Sequence, residues 1–311
     1  MRIDTYIHLF ILSLCIACSP SDPESQTGEL NEQKEWAIAI HGGSGVMERS
    51  RFADEEVELY LRSLDNALRT GERLLQEGAS ALDVVQVVLM RMEDDSLFNA
   101  GKGAVLTADG HAELDASIMD GLTRNCGAVT GLRTIKNPIL AARLVMDSSK
   151  HVFLSRDGAE EFAMHHRLEE VDPGYFETKR RKDYYLRKKS EEVSQFLEEK
   201  AWSKFGTVGC VVLDREGNLA AGTSTGGMSM KRYGRIGDSP MIGAGTYADN
   251  TTCAVSCTGW GEYFIRAAVA HDVHARMAHG GDDLATAASE VIQKVIPELG
   301  GNGGLIAVDK T

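Results

Sequence analysis

Apolar positions in the first half of the chain follow a helical spacing and are separated by turn residues. The first apolar stripe recurs three, four and seven residues apart, at Leu61, Leu64, Leu68 and Leu75. It predicts an amphipathic helix that ends near Gly78. Ser80 and Asp83 form a capping pair that predicts the start of a second helix, and Asn137 followed by Pro138 predicts a third.

The pattern changes to strands after residue 207. Val208 to Leu213 and Leu219 to Thr225 are apolar runs joined by turn residues at Asp214 to Asn218, which predicts a β-hairpin. Trp36 to Ile40 predicts a short buried strand, and Gly261 to His279 returns to a helical pattern. Helices and strands in this order predict an α+β fold in which helices pack on sheets.

Composition is that of a folded globular protein. A chain of 311 residues, 43% of them hydrophobic, can bury the core of one large domain or of two smaller ones. The net charge of −13 argues against nucleic acid as a partner. A basic stretch containing Tyr184 and Tyr185 is followed at once by acidic residues from Glu191 onward. We therefore interpret residues 171–206 as a solvated, mobile linker.

Residues 1–18 have the character of an export signal. Arg2 precedes an apolar run from residue 6 to residue 17, which is shorter than the roughly 20 residues that a membrane helix needs. The run ends in a string similar to a bacterial lipobox, which implies lipidation of Cys18; plain secretion is the alternative. Residues 19–34 are polar and acidic, as expected of a tether. We expect an exported bacterial protein, either periplasmic or anchored to the membrane through this lipid.

Cysteine and histidine spacings do not indicate a metal site. The cysteines beyond the N-terminal segment are expected to be free thiols: Cys126, Cys210, Cys253 and Cys257. His271 and His274 lie three residues apart on a predicted helix, but no motif fixes a third ligand beside them. We therefore expect no metal ion bound by side chains.

The dipeptide Gly206–Thr207 stands at the head of the predicted hairpin and can become a catalyst if the chain is cut between its two residues. A new amino-terminal threonine would carry an α-amine with a pKa of about 7.7 to 8.0, which can take the proton of the hydroxyl on the same residue. Gly206 tolerates strained backbone angles and leaves its carbonyl open to attack. Taken alone, the same string also fits the plain start of a strand.

Strings on both sides of this dipeptide make a catalytic interpretation specific. They are IHGGSG (40–45), FNAGKG (98–103), TSTGG (223–227), GRIGDSP (234–240), GAGTYAD (243–249) and SCTGWGE (256–262). In this order they resemble the plant-type asparaginases, also called isoaspartyl peptidases, of the N-terminal-nucleophile hydrolases. The resemblance runs from about Trp36 to Asp309.

The resemblance implies a four-layer αββα sandwich that cleaves itself between Gly206 and Thr207. The products would be an α subunit, residues 35–206, and a β subunit, residues 207–311, assembled as a dimer of α/β heterodimers. The mature enzyme would release L-aspartate from β-aspartyl dipeptides and from L-asparagine without a cofactor. Relatives continue beyond the strand that matches residues 303–309, so we expect a shortened C-terminus.

The resemblance also implies roles for residues around the nucleophile. Thr207 would attack first the carbonyl of Gly206 and then the substrate. Thr225 would hydrogen-bond to the nucleophile, and Asn99 would lie beside it, both as positioning groups. The hydroxyl of Thr258 and the amide of Gly259 would form the oxyanion hole.

Three further groups follow from the same resemblance. Arg235 would bind the substrate α-carboxylate through its planar fork of donors, and Asp238 would bind the α-ammonium. Without the surrounding motifs, Arg235 and Asp238 also fit a surface ion pair. Backbone carbonyls of the loop from Glu93 to Asn99 would hold a structural sodium ion.

Two other functions remain open at this level. A related glycosylasparaginase would release aspartate from a glycan-linked asparagine. An uncleaved, lipid-anchored protein would bind aspartyl-like ligands through Arg235 and Asp238 without turnover. Comparing a β-aspartyl dipeptide with a glycosyl-asparagine separates the two enzymes, and the mass of the denatured chain separates both from the binding protein.

Overall fold

The structure of the protein, a computed structural model, describes residues 36–45, 50, 52–194 and 206–311. The predicted export signal (residues 1–18) with Cys18 and the predicted tether (residues 19–34) lie outside the described residues. In the described ranges no helix has both the length and the apolar character that crossing a membrane requires.

The described residues form runs of helices and runs of strands along the chain. The helices are α1 (Asp54–Gln76), α2 (Ala81–Glu93), α3 (Pro138–Ser148), α4 (Arg156–His165), α5 (Lys179–Ser194), α6 (Gly261–Ala267), α7 (Val269–Ala275), α8 (Leu284–Glu290) and α9 (Ile296–Glu298). The strands are β1 (Ala37–His41), β2 (Leu114–Asp120), β3 (Cys126–Leu132), β4 (Phe153–Ser155), β5 (Val208–Leu213), β6 (Leu219–Thr225), β7 (Thr246–Ala248), β8 (Cys253–Gly259) and β9 (Gly303–Asp309). The predicted mixed fold of helices and sheets is confirmed.

The strands form two sheets. The larger sheet has the order β1-β5-β6-β2-β3-β4, antiparallel except for the parallel pair β3 and β4. The smaller sheet has the order β7-β8-β9 and is antiparallel throughout. The predicted hairpin is confirmed, with register partners from Val208 and Ser224 at its open end to Leu213 and Leu219 beside the turn.

Alternation along β5 determines what each face of the larger sheet contacts. Val208, Cys210 and Val212 join the core beneath α1, α2 and α3, whereas Val211 and Leu213 pack toward the smaller sheet. The far side of the smaller sheet carries a separate apolar core with α6, α7 and α8. The hairpin is therefore buried on both faces, and Thr207 is attached to its first strand.

Local signals account for the starts of two predicted helices. The hydroxyl of Ser80 accepts a hydrogen bond from the Asp83 amide at the start of α2, as the capping pair predicts. Pro138 is the first residue of α3. Helix α1 buries Ala67, Gly71 and Leu75, but Leu61, part of the predicted stripe, is 60% exposed. Residue 61 lies at the edge of the buried face.

Two predicted elements differ from the structure. The helix predicted from Gly261 to His279 is broken at Ala268, which has a left-handed φ of 48°. The break lets the amides of Ala270 and His271 donate to backbone carbonyls of the loop before β7. The first strand, predicted to be buried, is half-buried because β1 is an edge of the larger sheet.

The segment predicted as a mobile linker, residues 171–206, contains a helix in its described part. Arg181 of α5 is 1% exposed, and its guanidinium donates to the backbone carbonyls of Gly103 (2.5 Å) and Phe98 (3.2 Å). The hydroxyl of Tyr185 donates to the Ala108 carbonyl. The basic residues of this helix are therefore not all solvated, because one of them binds carbonyl groups of the protein body.

Candidate active site

One pocket lies where the head of the β5–β6 hairpin meets the loops that follow β1, β6 and β8. Its lining is Ser44, Thr207, Thr225, Gly227, Met228, Ser229, Arg235, Gly237, Asp238, Ser239, Thr258, Gly259 and Trp260. Six of the seven residues assigned to catalysis or substrate binding from the sequence belong to this lining. The seventh, Asn99, lies behind it. Residues from distant parts of the chain thus converge on Thr207.

Thr207 and Thr225 are joined through their hydroxyl groups. Thr207 Oγ1 donates to Thr225 Oγ1 at 3.1 Å, and Thr225 Oγ1 also accepts a hydrogen bond from the Gly227 amide. A second hydroxyl, Ser239 Oγ, lies 3.4 Å from Thr207 Oγ1. The Thr207 side chain is therefore held in one direction, toward the pocket lining formed by β6 and the loop after it.

The backbone on both sides of Thr207 is also fixed. Gly206 packs so closely on Gly43 that a Cβ atom on Gly43 would lie 2.0 Å from the Gly206 Cα. Gly43 has a φ of 112°, a left-handed conformation that favours glycine. On the other side, the Nδ1 atom of His41 lies 3.0 Å from the carbonyl oxygen of Thr207.

Asn99 acts on the turn after Thr225. Its Nδ2 donates to the Gly227 carbonyl at 2.9 Å, its backbone carbonyl accepts from the Gly226 amide, and its Oδ1 accepts from the Val105 amide. Asn99 therefore holds the 226–227 turn that follows Thr225, the residue to which Thr207 donates its hydroxyl proton.

Thr258 and Gly259 lie at the end of β8. Thr258 Oγ1 accepts a hydrogen bond from the Ser44 amide at 3.2 Å and donates to Ser44 Oγ at 3.4 Å. Ser44 was given no role from the sequence, although it belongs to the IHGGSG string. Its hydroxyl and amide orient the Thr258 hydroxyl beside the pocket.

Arg235 and Asp238 provide opposite charges in the same pocket. Arg235 donates two hydrogen bonds of 2.9 Å to Glu262, a bidentate geometry. Burial acts to raise the pKa of Glu262, but the hydrogen bonds and charge of Arg235 lower it overall. Glu262 was also missed as a functional residue, although it ends the SCTGWGE string.

Asp238 is buried without a partner for one of its oxygens. Its Oδ2 accepts no hydrogen bond from any residue that the structure describes, and the residue is 4% exposed. Desolvation by burial raises the pKa of Asp238 to about 7, although the charge of Arg235 acts to lower it. A ligand bearing both a carboxylate and an ammonium group would complement this pair.

The loop from Glu93 to Asn99, where the sequence predicts a sodium site, lies against two glycines that follow it. A Cβ atom on Gly101 would lie 2.3 Å from the Glu93 carbonyl oxygen, and one on Gly103 would lie 2.0 Å and 2.7 Å from those of Phe98 and Ser96. Gly101 and Gly103 thus pack directly against backbone carbonyls of this loop. Arg181 already donates to the Phe98 carbonyl. Side chains offer no alternative, since the described residues contain no cluster of three or more His, Cys, Asp or Glu that could hold a metal ion.

Comparison with known proteins gives concordant results. The profile of a family described as asparaginase matches residues 34–311. The chain is 49% identical over 278 residues to an isoaspartyl peptidase of Escherichia coli (strain K12), covering 88% of this chain and 86% of that protein. It is 44% identical over 297 residues to a probable isoaspartyl peptidase/L-asparaginase 2 of Arabidopsis thaliana (88% and 89% covered). It is 40% identical over 274 residues to the isoaspartyl peptidase/L-asparaginase of Homo sapiens (88% and 87% covered).

Proposed function

The chain belongs to the asparaginase family, and on that basis we propose that it is a threonine-nucleophile hydrolase that releases L-aspartate from β-aspartyl dipeptides and from L-asparagine. The names of its relatives, isoaspartyl peptidases and L-asparaginases, support the reaction. The observation that carries the proposal is the hydrogen bond between the hydroxyls of Thr207 and Thr225 in the pocket that also contains Arg235 and Asp238. The substrate is a small molecule.

The finer architecture is part of the proposal. We infer an αββα sandwich, supported by helices on the outer face of each sheet and by the apolar contact between the sheets. The chain would cleave itself into an α subunit (residues 35–206) and a β subunit (residues 207–311). The two subunits would assemble as a dimer of heterodimers.

Self-cleavage begins with attack of Thr207 Oγ1 on the Gly206 carbonyl. The C–N bond between the two residues breaks, an ester forms at Oγ1, and the hydroxyl proton passes to the freed amine. Water then hydrolyses the ester, which leaves a carboxylate on Gly206 and an amino-terminal Thr207. The tight packing of Gly206 against Gly43 supports this step because it restricts where the carbonyl can lie.

Substrate hydrolysis uses the same oxygen. The α-amine of Thr207 takes the hydroxyl proton while Oγ1 attacks the substrate side-chain carbonyl. The hydroxyl of Thr258 and the amide of Gly259 stabilise the oxyanion. The amine gives its proton to the leaving nitrogen, and water hydrolyses the resulting ester to L-aspartate. Thr225 keeps the nucleophile in place throughout.

Arg235 and Asp238 determine selectivity in this mechanism. A substrate without its α-ammonium leaves the buried Asp238 carboxylate without a partner, and one without its α-carboxylate leaves donors of Arg235 unused, so we expect rejection by up to roughly 10⁴-fold. Peptide bonds inside a protein carry neither group within reach. The enzyme should therefore cleave β-aspartyl dipeptides but not proteins.

Sodium and export are separate proposals. Backbone carbonyls of the loop from Glu93 to Asn99 would hold a sodium ion, which would stiffen the loop that precedes Asn99 and take no part in the chemistry. Export, with lipidation of Cys18, stays a prediction from the sequence alone.

The decisive experiment follows chain mass and aspartate release together. Denaturing mass spectrometry of the wild type should show two fragments that meet between Gly206 and Thr207, with release of aspartate from a β-aspartyl dipeptide. Thr207→Ala should stay intact and inactive, and Thr207→Ser, which keeps a hydroxyl, should still cleave. An intact wild type that binds L-aspartate without turnover would contradict the proposal, and faster release from a glycosyl-asparagine would indicate a glycosylasparaginase.

A further inference from the structure

A row of polar residues crosses the larger sheet beside Thr207. His41 of β1 is the register partner of Gly209, Gly209 is the partner of Thr223, and Thr223 is the partner of Ser117. On the facing sheet, Thr246 and Ser256 are register partners of each other. We call His41, Ser256, Thr223, Thr246 and Ser117 the hydroxyl seam. Its four hydroxyl residues are 0% exposed, although apolar side chains fill the rest of this interface.

The seam is continuous and passes back and forth between the sheets. His41 Nε2 lies 3.2 Å from Ser256 Oγ, which lies 2.7 Å from Thr223 Oγ1. Thr223 Oγ1 lies 2.5 Å from Thr246 Oγ1, which lies 2.8 Å from Ser117 Oγ. Every contact is within hydrogen-bonding distance, so each hydroxyl has a neighbour on both sides or a carbonyl at its end.

The number of protons available decides which group donates in each hydrogen bond between His41 and Thr223. The Thr207 carbonyl can only accept, so His41 Nδ1 must carry a proton. Desolvation by burial lowers the pKa of His41 to about 4, so the ring is neutral near pH 7 and its Nε2 is an acceptor. Ser256 must then donate to His41, and Thr223, with a single proton, must donate to Ser256. The other acceptor within reach of the Thr223 hydroxyl is the Gly245 carbonyl, which is more distant at 3.3 Å.

Gly209 makes the His41–Ser256 contact possible. A Cβ atom at this position would lie 2.2 Å from His41 Nε2 and 2.1 Å from Ser256 Oγ. Any side chain would therefore separate the histidine from the serine. The glycine, which directly follows Val208 at the start of β5, leaves the space in which the two sheets exchange this hydrogen bond.

One end of the seam contacts Thr207, and the other contacts a neighbour of Thr207 in the pocket. At one end His41 binds the Thr207 carbonyl. At the other end the single proton of the Ser117 hydroxyl has two acceptors within reach, Thr246 Oγ1 and the Ser239 carbonyl oxygen at 2.6 Å, and the Ser239 hydroxyl lies 3.4 Å from Thr207 Oγ1. The seam is thus hydrogen-bonded to the backbone of Thr207 through His41, and its other end lies against the backbone of Ser239, the residue whose hydroxyl is near Thr207 Oγ1.

We propose that the hydroxyl seam positions the nucleophile by holding His41 in its Nδ1–H tautomer, so that the ring fixes the carbonyl plane of Thr207. The inference rests on the proposed function in one respect, that Thr207 is the nucleophile. After self-cleavage, Thr207 is attached to the chain only through that carbonyl. Its orientation then depends on the peptide plane more than in the uncut chain. His41, Ser256 and Thr223 are positioning residues and do not touch the substrate.

The test removes one hydroxyl from the middle of the seam. Thr223→Val is isosteric but cannot donate to Ser256, whereas Thr223→Ser keeps the hydroxyl. We expect Thr223→Val to lower the self-cleavage rate and kcat by about threefold to tenfold, the effect of roughly one hydrogen bond, with KM within about twofold. Thr223→Ser should restore both rates. The control is Thr252→Val, which removes a buried hydroxyl bound to His274 outside the seam and should change neither rate.

A spectroscopic measurement tests the seam independently of activity. The ¹⁵N shifts of His41, assigned by comparison with His41→Gln, should report a single neutral Nδ1–H tautomer in the wild type. Mixed tautomers are expected in Thr223→Val and in Ser256→Ala, the second variant in case the first does not fold. Wild-type rates and an unchanged His41 tautomer in folded Thr223→Val or Ser256→Ala would overturn the inference, as would equal impairment of Thr223→Ser and Thr223→Val. A wild type that neither cleaves nor hydrolyses would contradict the proposed function alone, because the tautomer still tests the seam.

Discussion

The guanidinium of Arg235 is held by the carboxylate of Glu262 through two hydrogen bonds of 2.9 Å each. These bonds use Nε and Nη2, and Nη1 lies close to Gly237 of the pocket lining. Glu262 therefore fixes the plane of the arginine while leaving donors for a second carboxylate. An arginine that also binds substrate must be held by something other than the substrate, and Glu262 supplies that contact.

Glu262→Gln should weaken substrate binding more than it slows the chemical step. Glutamine offers one acceptor oxygen in place of two, so the guanidinium loses its fixed orientation. We expect KM to rise by about tenfold, equivalent to roughly 1.4 kcal/mol, with a smaller change in kcat. Steady-state kinetics with a β-aspartyl dipeptide measure both. Glu58→Gln, which removes an exposed ion pair with Arg62, is the control. An unchanged KM would show that Glu262 does not position Arg235.

The carboxyl group of Asp238 should make ligand binding depend on pH. Because burial raises the pKa of Asp238 to about 7, the group is ionised above that pH and neutral below it. Binding of L-aspartate, whose ammonium needs the ionised form, should weaken about tenfold for each pH unit below 7. Calorimetry on the mature enzyme measures this. Succinate, which lacks the ammonium, is the matched ligand, and an equal loss of its affinity would contradict the assignment.

Asn99→Ala should reduce both activity and stability. The residue is 1% exposed and links the Gly227 carbonyl to the buried Val105 amide, so its removal leaves both groups without this partner. We expect a loss of about 2 to 3 kcal/mol in the free energy of unfolding and a lower kcat, because the turn that orients Thr225 is released. Chemical denaturation and kinetics check the two effects. Asn66→Ala, at a solvent-exposed position on α1, is the control. Normal stability with normal kcat would contradict the role of Asn99.

Glu93→Gln should remove a pH dependence of stability. Desolvation by burial raises the pKa of Glu93 to about 8, against hydrogen bonds from the Ser224 hydroxyl and the Ile139 amide. The folded protein therefore keeps this proton while the unfolded chain loses it above about pH 4.5. Between about pH 5 and pH 8 this group should lower the free energy of unfolding of the wild type by about 1.4 kcal/mol for each pH unit.

The Glu93→Gln variant has no ionisable group at this position, so its free energy of unfolding does not fall with pH for this reason. The difference in unfolding free energy, wild type minus Glu93→Gln, should fall steadily as pH rises through this range and level off above pH 8. Urea denaturation at several pH values measures it. A difference that stays constant with pH would show that Glu93 is ionised in the folded protein.

Local chemistry made much of the fold predictable from the sequence. Ser80 caps a helix and Pro138 begins one because each acts on its own backbone, and the β5–β6 hairpin follows from two apolar runs and a short turn. The break at Ala268 and the burial of Arg181 could not be predicted in this way. Each depends on carbonyl groups supplied by distant residues.

The same distinction applies to the site. Thr207, Thr225, Arg235 and Asp238 could be assigned because their strings resemble a known family, and the structure brings them to one pocket. Ser44 and Glu262 lie in the same strings but were given no role, since only their contacts with Thr258 and Arg235 reveal one. The hydroxyl seam is visible only from the register of two sheets, because its members are scattered along the chain.

The contact between Gly43 and Gly206 has a consequence for how the protein can vary. A methyl group on either residue would overlap the backbone of the other, and no flexible side-chain end is present that could yield. Two stretches of chain that are far apart in sequence therefore restrict each other, and a change in one cannot be compensated within the other. The residue directly before Thr207 therefore has to lack a side chain, whatever residues precede it.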